Sequence, residues 1–411
     1  MADIERVEQT ILRFYGGDAD ADQWLVEFQS SEEAWVTSIH LLESENDEVQ
    51  GFAANVLLQK ARGEASGLPD TSRDELSAVL LSRAEVTPTS AVERLLYASA
   101  AAAAAPECGA DPGALEAHLS APYVAALSPT SQCGYFAALG SEFADRADRS
   151  NREEFVKLCG GAVSSLVRLA DTVASGEADA ELAQAVLAAV AAWGQAGLSL
   201  GQLFYSPLLE VILSWASEPD VTPAAARALT ECADNPLADE DVAPLAAVLV
   251  PSLADLTPLY HAAVEGGEEE WCAAFAMMCC ATARQMVAVV AECRGTPLED
   301  TVGTVLEVVL HATEHGGLAL SEETLALWDD LSAQAPRVDF WAHFLGELVK
   351  IVLGRCQYEP DFESWETAQE EVSDFRRYRR SAANVLRAVA QVHEGDVLTA
   401  IAEPLLEAGV D

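Results

Sequence analysis

Lysine is almost missing: three occur in 411 residues, Lys60, Lys157 and Lys350. Lysine and arginine together number 23 against 67 aspartates and glutamates, a formal net charge of −44. So acidic a surface repels nucleic-acid phosphates and anionic membranes, which excludes activities that need a basic groove. The same surface attracts basic proteins, or serves solubility in a salt-adapted or GC-biased proteome; both readings stand. Alternating β-branched residues are almost absent, which argues against strands. Glycine-rich phosphate loops, dinucleotide fingerprints and serine-hydrolase elbows are absent too. The nine cysteines include no C-x-x-C. Their odd number, with apolar neighbours at Cys272, Cys279 and Cys280, indicates reduced, packed thiols of a cytosolic or nuclear protein. No uncharged apolar run is long enough to cross a membrane. The nearest, Cys272 to Cys293, is interrupted by Arg284 and reads as a buried helix. The charged start Met1-Ala-Asp-Ile-Glu-Arg does not read as a secretory signal.

What is present is helix. Alanine, leucine and glutamate dominate, and clusters of Gly, Pro and Asp cut the chain into roughly twenty helical segments joined by short links. Ser30 with Glu33 predicts a capping box. Trp35, Ile39 and Leu42 follow on one face. Beyond the polar break Glu43–Glu48, Val49, Phe52, Ala53, Val56 and Leu57 form a second stripe. Neither helix buries its stripe alone, so the expectation is a helical hairpin stacked on the next hairpin. Ala98–Ala105 continues the register of Leu95–Tyr97 and reads as a tightly packed helix. The fold class predicted is an all-α solenoid of such hairpins.

Several residues are candidates for chemistry. His311-Ala-Thr-Glu-His315 has the inverted zincin spacing, two imidazoles one turn apart with a glutamate. No third ligand is suggested by spacing, and Gly316-Gly317 puts His315 at a helix end, where the carbonyl dipole accounts for it. Neither a catalytic nor a metal-ligating role is therefore assigned. Cys279-Cys280 reads as core, because adjacent residues point apart on a helix. Phe340, Trp341, Phe344, Leu345, Leu348, Ile351 and Val352 read as core between stacked hairpins. Glu359, Asp361, Glu363, Glu366, Glu370, Glu371 and Asp374 crowd one segment before Arg376, Arg377, Arg379 and Arg380. They are either a solvated loop that neutralises the next helix or an acidic loop that grips a basic partner.

Trp24-Leu-x-x-Phe28-Gln-x-Ser31-x-x-Ala34-Trp35, with Phe52-Ala-Ala-Asn55, resembles the N-terminal domain of the importin-β (karyopherin) superfamily, nearest its transportin-3/importin-13 branch. The resemblance continues through Val190-Ala-Ala-Trp193-Gly-Gln-Ala-Gly197, Leu259–Val264 with Glu270–Val290, and Val305–Glu314 with Leu327-Trp328. It ends on Arg355-Cys-Gln-Tyr-Glu-Pro-Asp361, the acidic loop and Asp374-Phe-Arg-Arg-Tyr-Arg379. It covers the N-terminal half of such receptors.

The resemblance implies a right-handed α-α superhelix of HEAT/ARM type without cofactor or enzymatic activity. It divides the chain into 1–85, importin-β N-terminal-like repeats; 86–335, exportin-1/importin-β-like repeats; and 336–411, further repeats with the acidic loop 359–374. It implies a nuclear transport receptor shuttling between cytoplasm and nucleus. Its partners would be the Ran GTPase in its GTP form, basic protein cargo and nucleoporins, without nucleic acid or membrane insertion. Phe52, Asn55, Gln59 and Lys60 are placed at the Ran surface. Lys60 matches a family lysine, whereas Leu58 stands where the branch has another. The acidic loop would be a second grip on Ran. The alternative is a HEAT scaffold for other proteins.

Overall fold

The computed structural model describes residues 4–87, 89–109, 111–146, 152–175, 179–334, 339–357 and 369–392. Among them there is no strand, and the architecture is an all-α superhelical solenoid. The helices are α1 (Ile4–Tyr15), α2 (Ala19–Gln29), α3 (Glu33–Leu41), α4 (Asp47–Glu64), α5 (Asp70–Val86), α6 (Ser90–Cys108), α7 (Pro112–Leu119), α8 (Pro122–Ala125), α9 (Pro129–Arg146), α10 (Arg152–Ser175) and α11 (Ala180–Ala196). There follow α12 (Leu200–Phe204), α13 (Leu208–Trp215), α14 (Thr222–Ala233), α15 (Asp239–Gly266), α16 (Glu269–Gln285), α17 (Val287–Glu292), α18 (Glu299–His315), α19 (Leu318–Gln334), α20 (Asp339–Arg355) and α21 (Gln369–Val392). Packing divides the chain into two units, Met1–Val211 and Ile212–Asp411. This partition rests on a different basis from the threefold division that the resemblance implies.

In the first unit, α4 packs on α6, α6 on α9 and α9 on α11, which makes one layer. Hairpin partners α3, α5 and α10 lie against α4, α6 and α11, and α7 packs on α10. In the second unit, α14, α16, α19 and α21 stack in one layer and α15, α18 and α20 in the other; α15/α16, α18/α19 and α20/α21 are the hairpins.

The sequence pattern explains this locally. Asn46 caps α4, its Oδ1 accepting from the Glu48 and Val49 amides at 2.9 and 3.3 Å. Val49, Phe52, Ala53, Val56 and Leu57 are all buried, as the spacing predicts. Each large apolar side chain buried this way contributes about 1.5–3 kcal/mol. The alanine tract of α6 is a packed helix: Ala100 to Ala105 are each no more than 2% exposed. Ala102 and Ala103 meet Ala61 and Ala65, and the small side chains let the two backbones approach. Cys279 and Cys280 are buried core, and all nine cysteines are free thiols. Phe344, Leu345, Leu348 and Val352 are buried and Ile351 is half-buried; the side chains of Phe340 and Trp341 lie outside the described residues.

Four expectations need correction. Ser30 and Glu33 form no capping box: the Ser30 hydroxyl donates to Val26 O at 3.2 Å, because Ser30 closes α2 rather than opening α3. A capping box does form from Ser199 and Gln202, at the start of α12. The buried stripe of α3 is Ala34, Thr37, Ser38, Leu41 and Leu42, one position off the predicted Trp35–Ile39–Leu42 line. Only Leu42 is shared; Trp35 and Ile39 are half-buried. Cys272 is half-exposed, since it sits near the start of α16 rather than in its packed middle.

The fourth concerns the membrane-length test. Cys272 to Cys293 is broken at Met286 into α16 and α17. Among the described residues the one helix long and apolar enough to cross a membrane is α15. It packs on α16 and α18 through Leu245, Leu249, Leu253 and Leu256, as a core helix does. It also holds Pro244, Pro251 and Pro258 at seven-residue steps. Pro244 and Pro258 are exposed and Pro251 half-exposed, so the missing N–H donors fall on the solvent side of the helix, where a proline costs least.

Candidate functional site

The face of α4 turned away from the core carries Asn55 and Gln59, one turn apart and both exposed. Arg62 continues that row. Its guanidinium bonds Glu142 Oε2 at 3.0 Å through Nε and Asp145 Oδ2 at 3.2 Å through Nη2, tying α4 to α9. Arg146 bonds the other Glu142 oxygen at 3.1 Å, so this nearly buried carboxylate sits between two guanidiniums. The sequence reading does not single out Arg62; its position seven residues after Asn55 is the signal that places it on the open face.

The other two residues expected on this surface are elsewhere. Phe52, 8% exposed, packs into the core. Lys60, only 4% exposed, is turned inward rather than lying free on the open face of α4. Its Nζ donates to Ser31 O at 3.0 Å and to Glu64 Oε1 at 2.8 Å, and lies 5.6 Å from the centre of the Trp35 ring. Trp35 Nε1 donates to Glu64 Oε2 at 2.8 Å and closes the cluster. The bond from Lys60 holds the Glu64 carboxyl below its ordinary pKa. Lys60 stands four residues after Val56 and three after Leu57, so its spacing continues the buried stripe, and only its charge suggests an outward position.

Of the acidic segment, Glu359, Asp361, Glu363 and Glu366 lie outside the described residues. Glu370 and Glu371 open α21, and their side chains lie outside the described ones. Asp374 is exposed, 3.2 Å from Arg377 Nη1. Arg377 also meets Glu322 of α19 at 2.9 Å, and that bond raises its pKa. At this end of the segment Asp374 pairs with Arg377 one turn along α21 itself. The motif residues around it are structural. Tyr378 is fully buried and meets Ser321 at 3.2 Å. Arg355 donates to Glu314 O at 2.6 Å and Gly316 O at 2.9 Å, capping the carbonyl end of α18.

Two further polar constellations occur. In the first unit, His118 Nε2 is 2.6 Å from Tyr135 Oη and its Nδ1 is 3.1 Å from Tyr123 Oη, which itself donates to Asp74 Oδ1 at 3.0 Å. One proton order satisfies all three: Tyr135 donates to Nε2, Nδ1–H donates to Tyr123, and Tyr123 donates to Asp74. Burial lowers the His118 pKa to about 4. No sequence signal marks His118; its partners come from three other helices, α5, α8 and α9.

In the second unit, a cleft of about 480 Å³ is lined by Tyr260, Glu268, Glu269, Cys272, His311 and His315, with apolar neighbours. The rings of His311 and His315 stand 4.6 Å apart. His311 Nδ1 is 2.8 Å from Tyr260 Oη. Among the described residues no three His, Cys, Asp or Glu side chains converge as a metal-ligand set. A zinc peptidase centre, with three protein ligands and a base, has no support in this geometry.

No family model matches the sequence, and no curated protein matches it. Solved structures do. Importin-13 in its cytosolic state is 16% identical, with a TM-score of 0.57 over 89% of this chain and 44% of that one. Importin beta crystallised from ammonium sulfate is 12% identical, with a TM-score of 0.54 over 92% of this chain and 44% of that one. The chain thus spans under half the length of these neighbours. At such identities the likeness is one of fold: this chain is built as an importin-type helical-repeat superhelix.

Proposed function

We propose that the chain is a nuclear transport receptor of the karyopherin superfamily, from its transportin-3/importin-13 branch, covering the N-terminal half of such a receptor. The observation that carries this is the fold likeness to two importins over roughly nine-tenths of the chain. The order of the sequence motifs supports it. The chain engages the GTP form of Ran through the open row of Asn55 and Gln59 on α4, with the acidic segment Glu359–Asp374 as a second grip. Basic cargo is drawn by the charge of −44. Release follows from small changes in each repeat that accumulate along the solenoid. The same charge disfavours nucleic acid. Shuttling between cytoplasm and nucleus, with nucleoporin contacts, belongs to this reading; catalysis does not.

A second reading, a HEAT scaffold that never meets Ran, is favoured by one observation. Lys60, the residue that matches a family lysine, is consumed inside the chain by Glu64 and Ser31. Calorimetric titration with Ran loaded with GTP, and separately with GDP, separates the two. The transport reading expects GTP-selective binding that weakens with salt and on charge reversal across Glu366–Asp374. Equal affinity for both forms, or none, overturns it and leaves the scaffold.

A further inference from the structure

The cleft beside the end of α18 has features that the transport reading does not use. His311 and His315 lie one turn apart on the same face of α18, with their ring centres 4.6 Å apart. Imidazole is a favoured ligand of zinc, copper and nickel. We propose that His311 and His315 form a bidentate site for a late divalent transition-metal ion of the zinc class, with water completing the coordination shell.

Four observations converge on it. First, both imidazoles line a cleft of about 480 Å³, which has room for several waters at about 30 Å³ each. Second, His311 is oriented from behind. Tyr260 Oη lies 2.8 Å from its Nδ1, and Tyr260 is itself a core residue, only 2% exposed. When Nδ1–H donates to that oxygen, the Nε2 lone pair is left for the metal, as the outer shell of metal-bound histidines is built. Third, the local field favours a cation. Glu268 and Glu269 line the same cleft, while the carbonyl end of α18 is already capped by Arg355. Fourth, the second imidazole is not locked away. The His315 side chain is 59% exposed, and its Nε2 lies 3.3 Å from Glu314 Oε2, which leaves Nδ1 as the nitrogen open to the ion. Cys272 shares the cleft, but burial and Glu268 raise its thiol pKa, which disfavours the thiolate that a metal needs.

The test is titration of the full, chelator-treated chain with zinc chloride by calorimetry. One equivalent is expected to bind. The double variant His311→Gln/His315→Gln is expected to lose that binding, with helical circular dichroism unchanged. Tyr260→Phe is expected to weaken it about tenfold or more, the usual effect of removing an outer-shell partner. Cobalt(II) gives an independent reading on the wild-type chain: d–d bands without a thiolate charge-transfer band. If the double variant does not fold, His315→Gln alone, at an exposed position, is expected to show the same loss of binding. Absent zinc binding, or binding that survives removal of His315, overturns the site. A thiolate band that disappears in Cys272→Ser overturns the two-nitrogen assignment, and an unchanged affinity in Tyr260→Phe overturns the positioning role of Tyr260.

Discussion

Lys60 and Glu64 are joined across one turn of α4, Nζ to Oε1 at 2.8 Å, with the Trp35 ring beside the ammonium. Lys60 is buried and held in three directions, by a carboxylate, a carbonyl and an aromatic face. It therefore acts as a rivet between α4 and the turn before α3. Lys60→Ala is expected to leave Ser31 O and Glu64 without their donor and to destabilise the first unit by about 1–3 kcal/mol. Lowered thermal and urea midpoints, read by circular dichroism, check this. An unchanged midpoint would show that Lys60 is free for other work.

The open row of α4 should behave in the opposite way. Asn55→Glu with Gln59→Glu alters side chains off the core, so the unfolding free energy should move by no more than about 0.5 kcal/mol. If the Ran surface lies here, the affinity for the GTP form drops about tenfold or more, the scale of about 1.4 kcal/mol. Thermal unfolding reads the first quantity and titration of the folded double variant the second.

His118 gives a pH signature. Its folded pKa, about 4, lies below the ordinary value of 6.5, so the unfolded chain binds more protons between those two values. The stability it contributes is present above pH 6.5 and is lost as the pH falls towards 4. The full amount is of the order of 3 kcal/mol. The wild-type midpoint should fall across this range, and His118→Gln should flatten that part of the profile. Tyr135→Phe, which removes the donor to Nε2, should lower stability by about 1–3 kcal/mol at pH 7.

Gly161 of α10 lies close against the start of α7. A Cβ built there runs into the backbone of Pro112, at its carbonyl oxygen, carbonyl carbon and Cα. In a helix, Gly→Ala normally gains about 1 kcal/mol. Here the clash is with backbone, which cannot rotate aside, so Gly161→Ala should destabilise by about 1–3 kcal/mol. A gain in melting temperature would contradict the packing of α7 on α10.

Much of the architecture is legible in the sequence because it depends on local order. The stripe Val49–Leu57 and the register of Ala98–Ala105 each follow from 3.6-residue periodicity, and periodicity is written in neighbouring residues. The errors fall where periodicity gives no guidance. Ser30 could open one helix or close another; only the path of the chain chooses. Trp35 reads as core by spacing, yet its indole N–H needs Glu64, which leaves it half-buried.

By itself, then, the sequence determined the helical class, the stacked hairpins and the acidic surface, since spacing and charge count are properties of the chain alone. Tertiary structure decided which polar side chains remain available. Lys60 was given the Ser31 carbonyl, His118 was locked among three other helices, and His311 was set against Tyr260. The reason is that hydrogen-bond partners 29 to 51 residues away, such as Ser31 for Lys60 and Tyr260 for His311, come within reach only when the helices stack.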